Sequence, residues 1–177
     1  LLTRLRRRRG RSGNALMTDP FRPLKNAFGR FATGVALAGC RDAQGAPVLL
    51  TVNSFASVSL EPPLVLWCIE KKASTFGAFM ASPSYSLNIL KADQQALSDR
   101  FAAHDPPPLQ SIEYEAWTTG APILRERLAA FDCLVKDRHE AGDHVILIAE
   151  VVRFDAGAGA PLLYFASKYM EGPETER

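Results

Sequence analysis

The run His144-Val-Ile-Leu-Ile-Ala-Glu-Val-Val-Arg-Phe154 decides the fold class. Side chains alternate between the two faces of an extended chain, so positions 145, 147, 149 and 151 share one face and positions 146, 148 and 152 share the other. All seven positions carry apolar residues. A strand that is apolar on both faces, in a mainly antiparallel protein, predicts a closed barrel with an outer layer packed on it. Helices or a second subunit could supply that layer.

The segments around this run predict a mainly β protein with short helices. Residues 127–138 precede it across the turn Glu140-Ala-Gly-Asp143, which predicts a β-hairpin. Further strands are predicted over residues 31–40, 47–60, 64–69, 85–90 and 162–165. Helices are predicted over residues 20–30, 74–81 and 93–103, with Asp93 as the N-cap of the third, and residues 104–120 read as a Pro-rich loop.

Size and composition predict one domain with one core, because the chain has 177 residues, of which 47% are hydrophobic. No stretch approaches the ~20 consecutive apolar residues of a membrane span, so we expect no membrane association. Cys40, Cys68 and Cys133 form no Cys-x-x-Cys pair, and their odd count fits a reducing cytoplasm. The three histidines have no metal-ligand spacing, and no metal site is predicted.

Residues 1–16 differ from the rest of the chain, since they contain six arginines and no acidic residue. Without those six charges the net charge of +2 becomes −4 for residues 17–177. We therefore expect residues 1–16 to be an untranslated or disordered extension and residues 17–177 to form the domain. An inert extension, or an arm for nucleic acid or a membrane surface, are the alternatives. The acidic remainder argues against nucleic-acid binding.

The segment Thr51-Val-Asn-Ser-Phe-Ala-Ser-Val-Ser59 concentrates small polar side chains. In an extended chain, positions 51, 53, 55, 57 and 59 share one face. Such a face suits the pyrimidine edge of a flavin ring, which presents alternating donors and acceptors. An edge strand with a solvated face explains the pattern equally well.

Three further places could contact a ligand. Lys71-Lys72-Ala-Ser74-Thr75 leads into the helix predicted over residues 74–81, with Ser74 as its N-cap candidate, so it could hold a phosphate at the helix N-terminus or be a capped helix with two solvated lysines. His144 follows the turn Gly142-Asp143 and could bond a ligand or lie on the surface. Arg100 ends a predicted helix, where it favours the helix dipole with or without a phosphate or nicotinamide contact.

A series of motifs, in order, resembles the flavin reductase-like domain family over about residues 20–170. The motifs are Phe31-Ala-Thr-Gly-Val35, Thr51-Val-Asn-Ser-Phe55, Ser57-Val-Ser59 with Pro62-Pro63, residues 71–76, Leu87-Asn-Ile-Leu90, Arg100-Phe-Ala102, Gly142-Asp-His144 and Pro161-Leu-Leu-Tyr164. Two places depart from the family pattern. Leu50 stands before Thr51, where relatives often carry glycine, and Ala166-Ser-Lys-Tyr169 lacks the glycine and arginine that relatives often show.

The resemblance implies a six-stranded antiparallel split barrel with flanking helices, of the FMN-binding type, in a homodimer with flavin near the subunit interface. It also implies site residues. Those for the flavin ring and ribityl chain are Thr33, Thr51, Asn53, Ser54, Phe55 and Ser57, those for the phosphate are Lys71, Ser74 and Thr75, and further cofactor contacts are Arg100, Lys168 and Tyr169. His144 is the catalytic candidate, beside the nicotinamide ring.

The activity implied is that of an NAD(P)H:flavin oxidoreductase, which reduces FMN or FAD with NADH or NADPH and passes reduced flavin to a separate monooxygenase. Hydride moves from nicotinamide C4 to flavin N5, so the protein needs mainly to align two rings. Two alternatives stay open. One is a split-barrel flavoprotein that keeps tightly bound FMN and acts as an oxidase or oxygenase, and the other is a non-catalytic flavin or haem binding module.

Overall fold

The computed structural model of the chain describes residues 19–103 and 112–176. Its strands are β1 (Thr33–Gly34), β2 (Ala36–Arg41), β3 (Pro47–Val52), β4 (Ala56–Leu60), β5 (Pro63–Glu70), β6 (Ser84–Ile89), β7 (Tyr114–Ala116), β8 (Pro122–Leu124), β9 (Ala129–Ala141), β10 (His144–Ala156), β11 (Leu162–Phe165) and β12 (Lys168–Glu171). Its helices are α1 (Arg22–Phe28), α2 (Phe76–Ala81) and α3 (Gln95–Ala102), with a 3₁₀ turn over Ala92–Gln94. The predicted mainly β fold is confirmed.

One antiparallel sheet forms the body of the fold, with strand order β3-β2-β6-β9-β10-β5-β4. It has seven strands where six were expected, because the segment predicted as a single strand bends after Val52 and divides into β3 and β4. Only residues 53–55 join these two strands, which are the opposite edges of the sheet. Such a link spans at most about 14 Å, so the sheet curls and its edges approach each other.

The interior of the curled sheet holds the main core. Its buried side chains come from one face of successive strands and include Trp67 of β5, Tyr85 of β6 and Leu147 of β10. Phe79 of α2 packs edge-on against Trp67, with ring centroids 4.9 Å apart, so this helix fills the interior of the sheet. The alternation predicted for β10 is confirmed on this face, where positions 145, 147 and 149 are buried.

A second core lies on the outer side of β2 and β3. Leu37 and Leu49 of these strands contact a layer that includes Phe101 of α3 and Leu162 of β11. This layer covers only part of the sheet. On β10 the second apolar face, with Ile146 and Ile148, stays half-buried within the described chain.

The hairpin of β9 and β10 is confirmed, and Gly142 in its turn has the positive φ of 64° that a tight turn requires.

Predictions for three other segments, which are the start of α3, the Pro-rich loop and the last strand, were wrong. Asp93 is not the N-cap of α3, because the side chain of Gln94 bonds the Lys91 amide at 2.8 Å and starts a 3₁₀ turn one residue earlier. Part of the predicted loop forms β7, which pairs with β8, and β12 pairs with β11.

The arginine-rich residues 1–16 and His104 lie outside the described residues. The described ranges contain no helix with the length and apolar character that crossing a membrane requires. Within the same ranges, no three His, Cys, Asp or Glu side chains cluster in a way that could hold a metal ion.

Candidate active site

A cavity of about 420 Å³ lies where the edges of the curled sheet approach each other. Its lining comes from the end of β3, the β3–β4 link, the end of β5, the residues before α2, the end of α3 and the start of β10. The lining residues are Leu50, Thr51, Val52, Asn53, Ser54, Cys68, Ile69, Glu70, Ala73, Ser74, Ala102, Ala103 and His144. Five of the predicted site residues therefore meet here, although they are up to 93 positions apart in the sequence.

A smaller cavity of about 200 Å³ adjoins the first. The two share Thr51, Val52, Asn53 and Ala102, so they form one groove along the end of β3. The smaller cavity adds two aromatic side chains, Tyr164 of β11 and Tyr169 of β12. The groove thus has a polar part of mononucleotide size and a smaller aromatic part.

Ser54 fixes the gap between the sheet edges. Its hydroxyl accepts a hydrogen bond from the Cys68 amide at 3.0 Å and donates one to the Cys68 carbonyl at 3.2 Å. The pairing of Ala56 with Leu66 in β4 and β5 places Ser54 opposite Cys68. The side chain therefore replaces the backbone partner that Cys68 would have in a continued ladder, and it holds the β3–β4 link against β5.

Ser98 of α3 joins the helix to both sides of the smaller cavity. Its backbone carbonyl accepts a hydrogen bond from the Thr51 hydroxyl at 2.7 Å, and its own hydroxyl, fully buried, lies 2.8 Å from the Tyr169 hydroxyl. Tyr169 also packs edge-on against Tyr164, with ring centroids 5.3 Å apart. Burial is the main reason that the pKa of Tyr169 is raised, so its phenol stays protonated.

Two basic residues stand at the rim of the larger cavity. Lys71 forms an ion pair with Glu140, and its amide donates to the Asp143 carbonyl at 2.9 Å. The His144 Nδ1 lies 2.8 Å from the Asp143 carboxylate. That bond is the main cause of the lowered pKa of Asp143. The carboxylate thereby orients the imidazole of His144, which lines the cavity.

A model of the flavin reductase like domain matches residues 28–173. The chain belongs to this family. It is 40% identical over 143 residues to the FMN reductase (NADH) SmoA of Agrobacterium fabrum, with 81% of each chain covered. It is 35% identical to HsaB, the reductase subunit of a flavin-dependent monooxygenase of Rhodococcus jostii, over 85% of this chain and 77% of that one. The resemblance inferred from the motifs is confirmed.

Solved structures agree. The fold matches the NADH:FAD oxidoreductase SgcE6 of Streptomyces globisporus, determined in complex with NAD and FAD fragments, with a TM-score of 0.78 and 31% identity. The match covers 83% of this chain and 89% of that one. Two other relatives are longer proteins, of which this member of the family spans 44% and 53%.

The three residues predicted to bind the phosphate differ in their positions relative to the cavity. Ser74 lines the cavity, whereas the Lys71 ammonium is paired with Glu140. Thr75, not Ser74, is the N-cap position of α2, and its side chain makes no capping bond. The Thr75 Oγ1 is buried and has no hydrogen-bond partner among the described residues. A buried hydroxyl beside the cavity lining, with its bonding capacity unused, fits a site for ligand oxygens.

Five other predicted residues do not line either cavity. Phe55 stacks on Phe131 at 5.5 Å and packs against the core. Ser57 is exposed on β4, and Lys168 is exposed on β12. The Arg100 guanidinium lies over the ring of Phe101 at 5.3 Å. Thr33 pairs with Tyr164 across β1 and β11, and its hydroxyl is buried without a partner among the described residues.

The sequence analysis missed several lining or supporting residues, which are Cys68, Glu70, Ser98, Ala102, Glu140 and Tyr164. For two of these residues the sequence contained a pattern that could have identified them as part of the site. Tyr164 and Ala102 each end a motif that resembles the family. Ser98 and Glu140 gave none, because their importance depends on partners in distant parts of the chain.

Proposed function

We propose that this chain is an NAD(P)H:flavin oxidoreductase that reduces FMN or FAD with NADH or NADPH. The observation that carries the proposal is the meeting of Thr51, Asn53, Ser54, Ser74 and His144 around one cavity in a chain of the flavin reductase-like family. The names of the relatives, an FMN reductase (NADH) and an NADH:FAD oxidoreductase, agree with the activity and both cofactors inferred from the sequence.

The cavity suits a flavin nucleotide in size, since about 420 Å³ lies within the range of small-molecule sites, about 300–1,000 Å³. Ser74 and Thr75 would hold the phosphate, and Asn53 would bond the polar edge of the ring. Bound flavin would supply the hydride acceptor, its N5 atom, for hydride from nicotinamide C4. The remaining work of the protein is to exclude water and to align the rings, with His144 bonding the nicotinamide carboxamide.

Reduced flavin would then pass to a partner monooxygenase. Relatives include the reductase subunit of a flavin-dependent monooxygenase, and that subunit has a length close to that of this chain.

Three further expectations from the sequence stay predictions. They are the cytoplasmic location, the separation of residues 1–16 from the domain and the lack of nucleic-acid binding.

The active form would be a homodimer. Helix α1 has no buried residue, and the large side chains Phe21, Phe28 and Phe31 around it are 63%, 68% and 77% exposed. The outer face of β10 also carries Val152 and Phe154 in exposed positions. Apolar surface of this extent marks an interaction site, and a second copy would also cover the half-buried face of β10. Analytical ultracentrifugation should give twice the chain mass of 19.4 kDa, and the chain mass itself would contradict the dimer.

The decisive test of the activity is steady-state oxidation of NADH and NADPH by the purified protein, with and without added FMN or FAD. Oxidation that saturates with added flavin would establish a reductase that releases reduced flavin. A protein that purifies yellow and ignores NAD(P)H would indicate the oxidase or the binding module instead, and the reductase proposal would fall.

A further inference from the structure

The turn between β9 and β10 binds both basic residues at the rim of the cavity. Glu140, before the turn, pairs with the Lys71 ammonium, and Asp143, within it, bonds the His144 ring at 2.8 Å. The Asp143 carbonyl also accepts the Lys71 amide at 2.9 Å. One short acidic turn thus engages the Lys71 and His144 side chains, both of which could meet a ligand of the cavity.

Lys71 is placed to change partners. Lys71 does not line the cavity itself, but its neighbours Glu70, Ala73 and Ser74 do, and a lysine side chain is long enough to turn from Glu140 toward them. The ion pair is open to water, because the Lys71 and Glu140 side chains are 37% and 74% exposed. Such an exposed pair is weak, and a phosphate with up to two charges could displace Glu140 from it.

We propose that Glu140 is a specificity-determining residue of the flavin site. Its carboxylate competes with the flavin phosphate for Lys71, and it thereby lowers the affinity for phosphorylated flavins and speeds their release. This inference rests on the proposed function, because it takes the ligand of the cavity to be a flavin nucleotide. A reductase that supplies flavin to another enzyme needs a flavin that leaves, and Glu140 would provide that exchange.

The test compares FMN with riboflavin, which has the same ring and ribityl chain but no phosphate. Dissociation constants are measured by quenching of flavin fluorescence for the wild-type chain and for Glu140→Gln. We expect Glu140→Gln to bind FMN up to about five-fold more tightly and riboflavin with unchanged affinity, as the loss of an exposed ion pair allows. The gain for FMN should shrink as the salt concentration rises.

Two variants make the result specific. Glu126→Gln removes a carboxylate from a comparable exposed pair with Lys91, 2.9 Å long and away from the cavity, and it should leave both constants unchanged. Lys71→Met should weaken FMN binding, and adding Glu140→Gln to it should give no gain, because the contested cation is gone.

Equal effects on FMN and riboflavin, or a gain that survives in the Lys71→Met background, would overturn the inference. So would unchanged FMN binding in Glu140→Gln. Failure of the proposed function is separate: it would appear as a wild-type protein that oxidises no NAD(P)H with any flavin, even where the FMN constants respond to Glu140.

Discussion

The inner wall and the rim of the cavity use polar side chains in opposite ways. On the inner wall, defined by Thr51, Ser54 and Ser98, the hydroxyls are already bonded to backbone or to another side chain at 2.7–3.2 Å. Partly buried hydrogen bonds of this kind are costly to break, so they hold the wall in place and its hydroxyls help to set the shape of the groove.

At the rim, defined by Lys71, Glu140, Asp143 and His144, a Lys–Glu ion pair and a His–Asp hydrogen bond are in contact with water. Such pairs contribute little to stability and can exchange partners. The comparison indicates that the wall determines which ring fits, whereas the rim determines how strongly the charged part of a ligand is held. Substitutions on the wall should therefore change stability, and those at the rim should change kinetics.

Ser54→Ala should have the largest effect on stability. It removes both hydrogen bonds to Cys68 and leaves the Cys68 amide without its partner, so we expect the free energy of unfolding to fall by about 1–3 kcal/mol. Urea unfolding followed by circular dichroism measures this loss. The matched control is Ser57→Ala on the exposed strand β4, which should change stability by less than about 0.5 kcal/mol. Equal values for the two variants would mean that the wall is not held by Ser54.

Ser98→Ala should have a smaller effect, about 0.5–1.5 kcal/mol, because it removes one hydrogen bond to Tyr169 and keeps the carbonyl that Thr51 uses. Tyr169→Phe removes the same bond from the other side. The double variant should therefore lose less than the sum of the two single losses in a double-mutant cycle. Additive losses would show that the two hydroxyls do not act as a pair.

His144→Ala tests the rim. Because the His144 side chain is 43% exposed and lies outside the core, we expect stability to change by less than about 0.5 kcal/mol. Turnover of NAD(P)H should fall by about two- to thirteen-fold, the value of one lost hydrogen bond of about 0.5–1.5 kcal/mol. Unchanged steady-state kinetics would remove the nicotinamide contact, and a large loss of stability would contradict the division between wall and rim.

The strands of this fold were readable from the sequence where alternation and turn residues agreed. The hairpin of β9 and β10 is an example, since Gly142 marks the turn and the buried positions of β10 alternate. The link over residues 53–55 was missed because it contains no glycine or proline to signal a bend. β12 was missed for a similar reason. Its turn places Ala166 and Ser167 at φ values of 49° and 62°, where glycine or asparagine is the usual signal.

The site was predictable only in part. Thr51, Asn53 and Ser54 lie close together in the sequence, and the family resemblance linked them to Ser74 and His144. The actual bonds of these residues depend on pairing across the curled sheet. Ser54 meets Cys68 because of the register of β4 on β5, which no spacing along the chain reveals.

Asp143→Asn should have the smallest effect, and it appears only in acid. The pKa of Asp143 is lowered in the folded chain, first by the hydrogen bond with His144. A carboxyl whose folded pKa lies below its unfolded value stabilises the protein above the unfolded pKa, about 3.9, and this contribution is lost as the pH falls through the folded pKa. Below about pH 4 the wild-type chain should therefore lose slightly more stability than Asp143→Asn, and urea midpoints between pH 7 and pH 2.5 measure the difference. In a His144→Ala background the difference should nearly vanish. If it persists there, the carboxylate is stabilised by Lys72 or by the turn backbone, and Asp143 does not orient the histidine at the rim.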